Sequence, residues 1–192
     1  TSIQDLKSYL AWQVICGAAP YLSDNIIEAH FEFYGKQVSG KEENQPRWKR
    51  VINTINNTLG EAVGKMYVQK YFPQQAKERM IHLVDNLKLA LADRINTNTW
   101  MSKETKNKAI EKLNTFTVKI GYPDKWRDYS KLTINDDSFY ANLMRANKFE
   151  IAYQWSKINK PVDKTEWLMN PQTVNAYYNP TTNEICFPAA IL

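Results

Sequence analysis

The sequence predicts a mainly α-helical fold, a bundle of about six helices followed by a C-terminal β-hairpin. Up to about residue 158, apolar residues recur every three or four positions, as they do on the buried face of an amphipathic helix. The final stretch differs in kind. Two runs of β-branched and aromatic residues, 174–178 and 184–187, flank the turn-forming segment Asn179–Asn183, and this pattern is typical of a hairpin.

Length and composition are those of a globular protein. The chain has 192 residues, 43% of them hydrophobic and 23% charged, which is enough to bury a sizeable core. No uninterrupted apolar run is long enough to span a bilayer, and no signal-peptide pattern is present. We therefore expect no membrane contact from this segment, and any targeting sequence of a longer parent would lie outside it.

The charge pattern excludes a strongly basic surface. The net charge is +5, but the 25 basic residues are interleaved with 20 acidic ones, as on a solvated surface. The densest basic cluster, residues 47–50, is a weak footprint for a phosphate backbone, so we expect no nucleic-acid partner. Cys16 and Cys186 lack metal-site spacing and resemble small buried hydrophobes, although a disulfide between them stays open.

The first two helices are bounded by clear signals. Apolar residues at helical spacing run from Ile3 to about residue 19, where Pro20 ends the run, and they predict a core-facing helix. Ser23 or Asp24 can cap a second helix that extends to about Val38.

The third predicted helix carries one continuous apolar stripe over residues 48–67 and should be a central packing element. We expect Leu59 and Val63 to be buried in it. Gly60 and Gly64, four positions apart, would then allow a second helix to cross closely, because glycine otherwise costs a helix about 1 kcal/mol. The alternative is that they are tolerated weak points.

The remaining helices follow from breaks and caps. The sequence predicts a long helix over about 74–96, a shorter one capped by Ser102, a turn at Gly121–Asp124, an irregular stretch over 126–134, and a last helix capped at Asp137–Ser138. Asn159–Asp163 is the expected boundary between the helical residues 1–162 and the hairpin residues 163–192. Since a lone hairpin is marginally stable in water, it must pack against something else.

No self-contained catalytic constellation is visible. His30 and His82 are the two histidines, and neither has a histidine four positions away, as a helical zinc pair requires. We interpret both as ordinary helix residues. The cysteines lack a neighbouring base, and there is no glycine-rich phosphate loop. We therefore expect no catalytic residue and no metal ligand within the chain.

The hairpin resembles a segment of the neprilysin and endothelin-converting-enzyme family of zinc metallopeptidases. Asn175–Tyr178 and Phe187–Leu192 match the family's Asn-Ala-aromatic-Tyr and Phe-Pro-Ala-Gly/Ala-Ile-Leu pair, at the family's spacing. Cys186 departs from the pattern, since a β-branched apolar residue is commoner there. Four upstream segments occur in the family's order: Leu59–Val68, Trp100–Lys106, Ile120–Asp124 and Glu166–Trp167.

The resemblance implies the middle segment of a bacterial, two-lobed oligopeptidase-like member. Residues 1–162 would be part of its substrate-enclosing helical lobe, and residues 163–192 the start of its catalytic lobe. In the family the zinc ligands follow the Phe-Pro-Ala segment, so this chain would lack them and be inactive alone. The parent is expected to use zinc and to hydrolyse small to medium peptides. Its location would be extracytoplasmic, in the periplasm or cell envelope, with the cytoplasm as the alternative.

By the same resemblance, Asn175, Ala176, Tyr177 and Ile191 are the expected substrate-binding residues. Asn175 and Ala176 would lie on an edge strand to which the peptide adds as a further strand, while Tyr177 and Ile191 would line side-chain subsites. The expected partners are peptide substrates and the rest of the catalytic lobe. Phe187, Ile191 and Leu192 should pack against that lobe, so alone the hairpin end should be loose or buried by a neighbouring molecule. The alternative function is a non-catalytic helical module for peptide binding or interaction.

Overall fold

The computed structural model describes residues 2–192, and it confirms the mainly helical prediction with a C-terminal hairpin. Within those residues the α-helices and β-strands are α1 Ile3–Ala18, α2 Asp24–His30, α3 Arg47–Thr58, α4 Gly60–Tyr71, α5 Gln74–Thr97, α6 Lys103–Asn114, β1 Thr117–Gly121, α7 Phe139–Trp155, β2 Tyr177–Asn179 and β3 Glu184–Pro188. A π-helix, Phe31–Val38, continues α2, and short 3₁₀ turns follow α1 and β3.

The chain forms two compact units. One comprises Thr1–Thr58 and Tyr129–Asn159, and contains α1, α2, α3 and α7. The other comprises Leu59–Asp128 and Lys160–Leu192, and contains α4, α5, α6 and the strands. The predicted division into a helical lobe at residues 1–162 and the start of a catalytic lobe at residues 163–192 is not tested by these two units and stays a prediction.

Helix α1 corrects one expectation. Its N-terminus carries a reciprocal cap, in which the Asp5 N–H donates to Ser2 Oγ and the Ser2 N–H donates to Asp5 Oδ2, both at 3.0 Å. Its apolar side chains are nevertheless exposed, Ile3 to 76% and Val14 to 65%, so the core-facing prediction is wrong within this chain. Periodicity shows that a helix has a face to bury, but not that the chain supplies the partner.

The other helices of the first unit follow the predicted caps with one exception. Ser138 Oγ accepts from the Ala141 N–H at 3.3 Å and so caps α7, which packs against α3. Arg145 donates to both carboxylate oxygens of Asp137, at 3.0 and 2.6 Å, and fixes the same helix start. Ser23 precedes α2, but its hydroxyl donates to the Asn25 side chain and makes no cap.

The predicted third helix is two helices, α3 and α4, because Leu59 leaves the helical region with φ −124° and ψ 30°. A break of one residue hardly shifts the apolar period, so the stripe alone could not reveal it. Leu59 and Val63 are half-buried, which corrects the expectation of full burial.

Gly60 and Gly64 are buried, but a loop rather than a helix covers them. Pro171 and Gln172 lie against Gly64, and the Gln172 side chain donates to the Gly60 carbonyl at 3.0 Å. Pro171 is fully buried, and its own carbonyl accepts from the Ala190 N–H at 2.9 Å. The close approach of another backbone to Gly60 and Gly64 was predicted correctly, but the prediction that this backbone is a helix was wrong. Segment 170–172 has no apolar periodicity that could have indicated its position.

We expect Gly64→Ala to lower the free energy of unfolding by about 1–3 kcal/mol, because an added Cβ would lie 2.7 Å from Pro171 Cδ in a rigid ring. Gly17→Ala is the matched control. No atom lies within 4 Å of a Cβ there, so this helical substitution should leave stability unchanged or raise it by up to about 1 kcal/mol. Urea unfolding of both variants measures the difference between their free energies of unfolding. Equal stabilities would show that segment 170–172 does not pack closely against α4.

The C-terminal strands form a three-stranded sheet of order β1-β3-β2. Strand β1 pairs with β3 in parallel, with Thr117 opposite Glu184, and β2 pairs with β3 antiparallel, with Tyr177 opposite Cys186. Strand β1 was not predicted from the sequence. It has five residues directly after a helix and shows no alternation of apolar and polar residues, and its parallel partner lies far along the chain. Strand β3 is therefore central. Ile191 and Leu192 beyond it are exposed, and the expectation of a hairpin end that is loose or buried by a neighbouring molecule stays a prediction.

Candidate functional site

Strand β2 lies at an edge of the sheet and pairs with β3 alone among the described residues. An edge strand presents backbone N–H and C=O groups along its outer side, and these can pair with another extended chain. Asn175 and Ala176 lead directly into β2, with Asn175 exposed and Ala176 half-buried. This arrangement can accept a peptide as an additional strand.

The amide side chain of Asn175 is oriented by its own backbone. Its Oδ1 accepts from the Ala176 N–H at 2.8 Å, and the Asn175 N–H donates to the Thr173 carbonyl at 3.0 Å. The acceptor half of the side chain is thus engaged locally. Its Nδ2 carries the two hydrogen-bond donors of this side chain.

A buried polar network lies under one face of the sheet. Lys119 on β1 is 6% exposed and Glu184 on β3 is 2% exposed, and Lys119 Nζ lies 2.9 Å from Glu184 Oε2. Lys119 Nζ also donates to the Glu166 carbonyl at 2.6 Å. Tyr177 on β2 donates from its hydroxyl to Glu184 Oε1 at 3.1 Å and accepts from the Leu168 N–H at 3.3 Å. The network joins all three strands to the loop before β2.

Burial and hydrogen bonding together shift the pKa values of Glu184, Tyr177 and Cys186. Burial by itself would raise the pKa of Glu184, but the hydrogen bonds from Lys119 and Tyr177 and the charge of the Lys119 ammonium outweigh it and hold the pKa below its ordinary value. The pKa of Tyr177 is raised, mainly by burial. Burial also raises the pKa of the fully buried Cys186 to about 11, so this residue is a neutral thiol at neutral pH.

The opposite face of the sheet is apolar. Tyr178, Ile185 and Phe187 lie at a cavity of about 550 Å³ whose other walls are α5 and α6, including Val84, Leu91 and Leu113. The alternation along β3 separates the two faces, since Glu184 and Cys186 point to the polar network and Ile185 and Phe187 to the cavity. The two faces of β2 therefore differ, since the Tyr177 side chain lies in the polar network and the Tyr178 side chain lines the apolar cavity.

The structure brings the four predicted site residues to one end of the sheet. Asn175 and Ala176 precede β2, and Tyr177 is its first residue. Ile191 is 44% exposed in the 3₁₀ turn Ala189–Ile191, which directly follows β3 and whose Ala190 N–H donates to the Pro171 carbonyl at 2.9 Å, upstream of β2. Their roles toward a substrate stay predictions. Sequence reasoning missed Lys119 and Glu184, although a lysine between Val118 and Ile120 was a detectable signal of a buried charge.

The histidines take no part in this site. His30 lies against the ring of Tyr34, with centroids 4.7 Å apart, and His82 is exposed on α5. Among residues 2–192, no group of three or more His, Cys, Asp or Glu side chains could hold a metal ion, so these residues do not fit a zinc site. Both cysteines are free thiols. Within the same residues, no helix is both long and apolar enough to cross a membrane.

Comparison with known proteins gives consistent matches. Residues 1–123 match the N-terminal sequence profile of Peptidase family M13. A neutral endopeptidase of Lactobacillus helveticus is 35% identical over 193 residues, covering 100% of this chain and 30% of the relative. An endothelin-converting enzyme homolog of Locusta migratoria is 33% identical over 194 residues, covering 97% of this chain and 26% of the relative.

Solved structures agree with these sequence matches. A zinc metalloprotease of Mycobacterium tuberculosis in its open state superposes with a TM-score of 0.92 at 46% identity, covering 100% of this chain and 30% of that one. PepO of Lactobacillus rhamnosis gives a TM-score of 0.83 at 31% identity, covering 92% of this chain and 28% of that one. The fold of this chain therefore matches a segment of two-lobed bacterial peptidases.

The chain belongs to Peptidase family M13, as a relative of the neprilysins and endothelin-converting enzymes. It spans 30% of the length of the Lactobacillus helveticus neutral endopeptidase and 24% of the length of neprilysin-11 of Caenorhabditis elegans.

Proposed function

We propose that the longer protein is a zinc-dependent metalloendopeptidase of neprilysin type that hydrolyses small to medium peptides. This chain contributes part of the helical lobe and the strand that binds the substrate backbone. The observation that carries the proposal is an edge strand, β2, preceded by an exposed Asn175 and a half-buried Ala176, in a chain of a peptidase family. Residues outside this chain would hold the zinc, which activates water for peptide hydrolysis when bound.

The substrate would lie antiparallel to the segment that leads into β2. Because Asn175 Oδ1 is engaged by the Ala176 N–H, Nδ2 is the group that would donate to a substrate carbonyl. The Ala176 carbonyl would accept a substrate N–H, and its small side chain leaves room for the approach. These contacts hold the peptide backbone and read no side chain, so they suit an enzyme that cleaves varied sequences.

Side-chain selection would come from the same end of the sheet. Ile191 is exposed there and would supply an apolar subsite wall. Tyr177 turns its hydroxyl inward to Glu184, so only its ring would contact substrate. The remaining partner is the rest of the catalytic lobe. We place the parent in an extracytoplasmic compartment, the periplasm or cell envelope, on the strength of its likeness to endothelin-converting enzymes and neprilysins.

Metal analysis and peptide hydrolysis test this proposal. We expect the full-length parent to contain one zinc per molecule and to cleave a quenched-fluorescent peptide, with the activity lost to a chelator and restored by zinc. The 192-residue chain alone should do neither, because no three-ligand site forms among residues 2–192, which the structure describes. A parent without chelator-sensitive hydrolysis contradicts the enzyme assignment. Stoichiometric zinc with cleavage by the chain alone contradicts the assignment of the ligands to residues outside it.

A further inference from the structure

The edge strand β2, which would bind substrate, is short, so further contacts are needed to fix its position. Strand β2 has three residues, and its ladder with β3 spans Tyr177 to Asn179. Asn175 and Ala176 lie before the first paired residue. Their position therefore depends on how firmly Tyr177 is held, since a few terminal ladder bonds fray easily.

Glu184 holds Tyr177 through a hydrogen bond inside the protein. Its Oε1 accepts from the Tyr177 hydroxyl at 3.1 Å, while its Oε2 lies 2.9 Å from Lys119 Nζ. Oε1 of Glu184 therefore binds the edge strand β2, and Oε2 binds β1. Glu184 is 2% exposed, so water does not compete for these bonds.

The same network fixes the loop that enters the edge strand. Lys119 Nζ donates to the Glu166 carbonyl at 2.6 Å, and the Leu168 N–H donates to the Tyr177 hydroxyl at 3.3 Å. The backbone on both sides of Asn175 is therefore tied to one buried carboxylate, at Leu168 before it and Tyr177 after it. An ordinary hairpin of this size needs no such ion pair, because apolar residues could fill the space.

We propose that Glu184, held by Lys119, is a positioning residue for substrate binding, which acts through the Tyr177 hydroxyl to hold Asn175 and Ala176 where a peptide backbone can pair with them. This inference rests on the proposed function of β2. Glu184 touches no substrate, so its effect should fall on substrate affinity and on the mobility of the strand. The chemical step should be spared.

The test uses the full-length parent enzyme with the variants Tyr177→Phe and Glu184→Gln. Tyr177→Phe removes one hydroxyl and keeps the ring. Each variant should raise KM about five- to tenfold and leave kcat within about twofold, because it weakens the internal hydrogen bond that orders the binding strand. In Tyr177→Phe, amide hydrogen exchange in peptides that cover residues 173–179 should be faster, while exchange in residues 184–188 stays as in the wild type.

Tyr178→Phe is the matched control. It removes a hydroxyl from the next residue of the same strand, on the opposite face, where the hydroxyl donates to Asn183 at 3.2 Å and does not reach Glu184. Its kinetics and exchange should match the wild type within about twofold. A loss as large as that of Tyr177→Phe would overturn the proposal, since any hydroxyl of the strand would then matter.

A double-mutant cycle with Asn175→Ala separates this proposal from the function on which it rests. If Glu184 acts through the strand, adding Glu184→Gln to Asn175→Ala should cost little more than Asn175→Ala alone. Fully additive losses would overturn the positioning role. If Asn175→Ala lowers kcat/KM but folded Glu184→Gln and Tyr177→Phe match the wild type, the positioning role fails and the proposed function stands. A silent Asn175→Ala would overturn both. Should Glu184→Gln not fold, Tyr177→Phe decides alone.

Discussion

Replacing Lys119 with methionine is expected to lower the free energy of unfolding by about 3–5 kcal/mol, the largest loss we predict for a single substitution. Lys119 and Glu184 are 6% and 2% exposed, so removing the ammonium leaves a buried carboxylate without its counter-ion. Methionine fills a similar volume, which keeps the cavity contribution small. Urea unfolding of the full-length protein measures the loss.

Two comparisons separate the effect of an unpaired buried charge from the general effect of breaking an ion pair. Lys119→Met combined with Glu184→Met removes both charges and should recover most of the stability, since an apolar pair can replace a buried ion pair at little cost. Asp124→Asn breaks the pair between Lys77 and an aspartate whose side chain is 95% exposed, and should cost at most about 1 kcal/mol. A similar small loss for Lys119→Met would contradict the buried ion pair.

The loss should also depend on pH with a definite sign. The folded-state pKa of Glu184 lies below the ordinary value of 4.5, so its stabilising contribution is present above that pH and is lost as the pH falls through the lower folded-state pKa. In Lys119→Met, burial of the carboxyl is no longer offset by the ammonium and should raise the pKa instead. The difference in stability between variant and wild type should therefore be largest above the raised folded-state pKa of the variant, and should shrink as the pH falls from there through the lowered folded-state pKa of the wild type. A difference independent of pH would exclude this linkage.

If the longer protein is the proposed metallopeptidase, Asn175→Ala in it is expected to lower kcat/KM about ten- to a hundredfold, with zinc content and melting temperature unchanged. The size follows from the removal of one polar interaction with substrate in a water-poor cleft, which is worth about 1–3 kcal/mol. Asn175 is exposed and its Oδ1 bonds to its own chain neighbour, so its replacement should spare the fold. Because the interaction is with substrate backbone, the loss should be similar for peptides with different side chains beside the scissile bond.

Ile191→Ala is the contrasting variant for the same experiment. It removes an exposed apolar side chain from the same end of the sheet, so it should penalise substrates with large apolar side chains more than small ones. A uniform loss from Asn175→Ala and a selective loss from Ile191→Ala would together support the two assignments. Wild-type kcat/KM for Asn175→Ala across several peptides would leave β2 as an ordinary hairpin strand.

Much of the fold was predictable from local signals. Ser102 and Ser138 mark helix starts that the structure confirms, because a cap is a contact between residues three positions apart. The break at Leu59 was not predictable, since the apolar stripe continues across it. The residues of the candidate site were likewise predictable only in part. Asn175 and Ile191 were proposed from family resemblance and their roles stay predictions, whereas the charged pair Lys119 and Glu184 beneath the strand was not predicted.

The sequence by itself determined which segments are helical, where the hairpin turns and to which family the chain belongs, because caps, periodicity and motif spacing are properties of neighbouring residues. Only the tertiary structure decided that β1 joins the hairpin, that Pro171 covers Gly64 and that Lys119 meets Glu184. These pairs are separated by long stretches of chain. Their contacts form only because packing brings distant segments together, and no local preference of either segment specifies its partner.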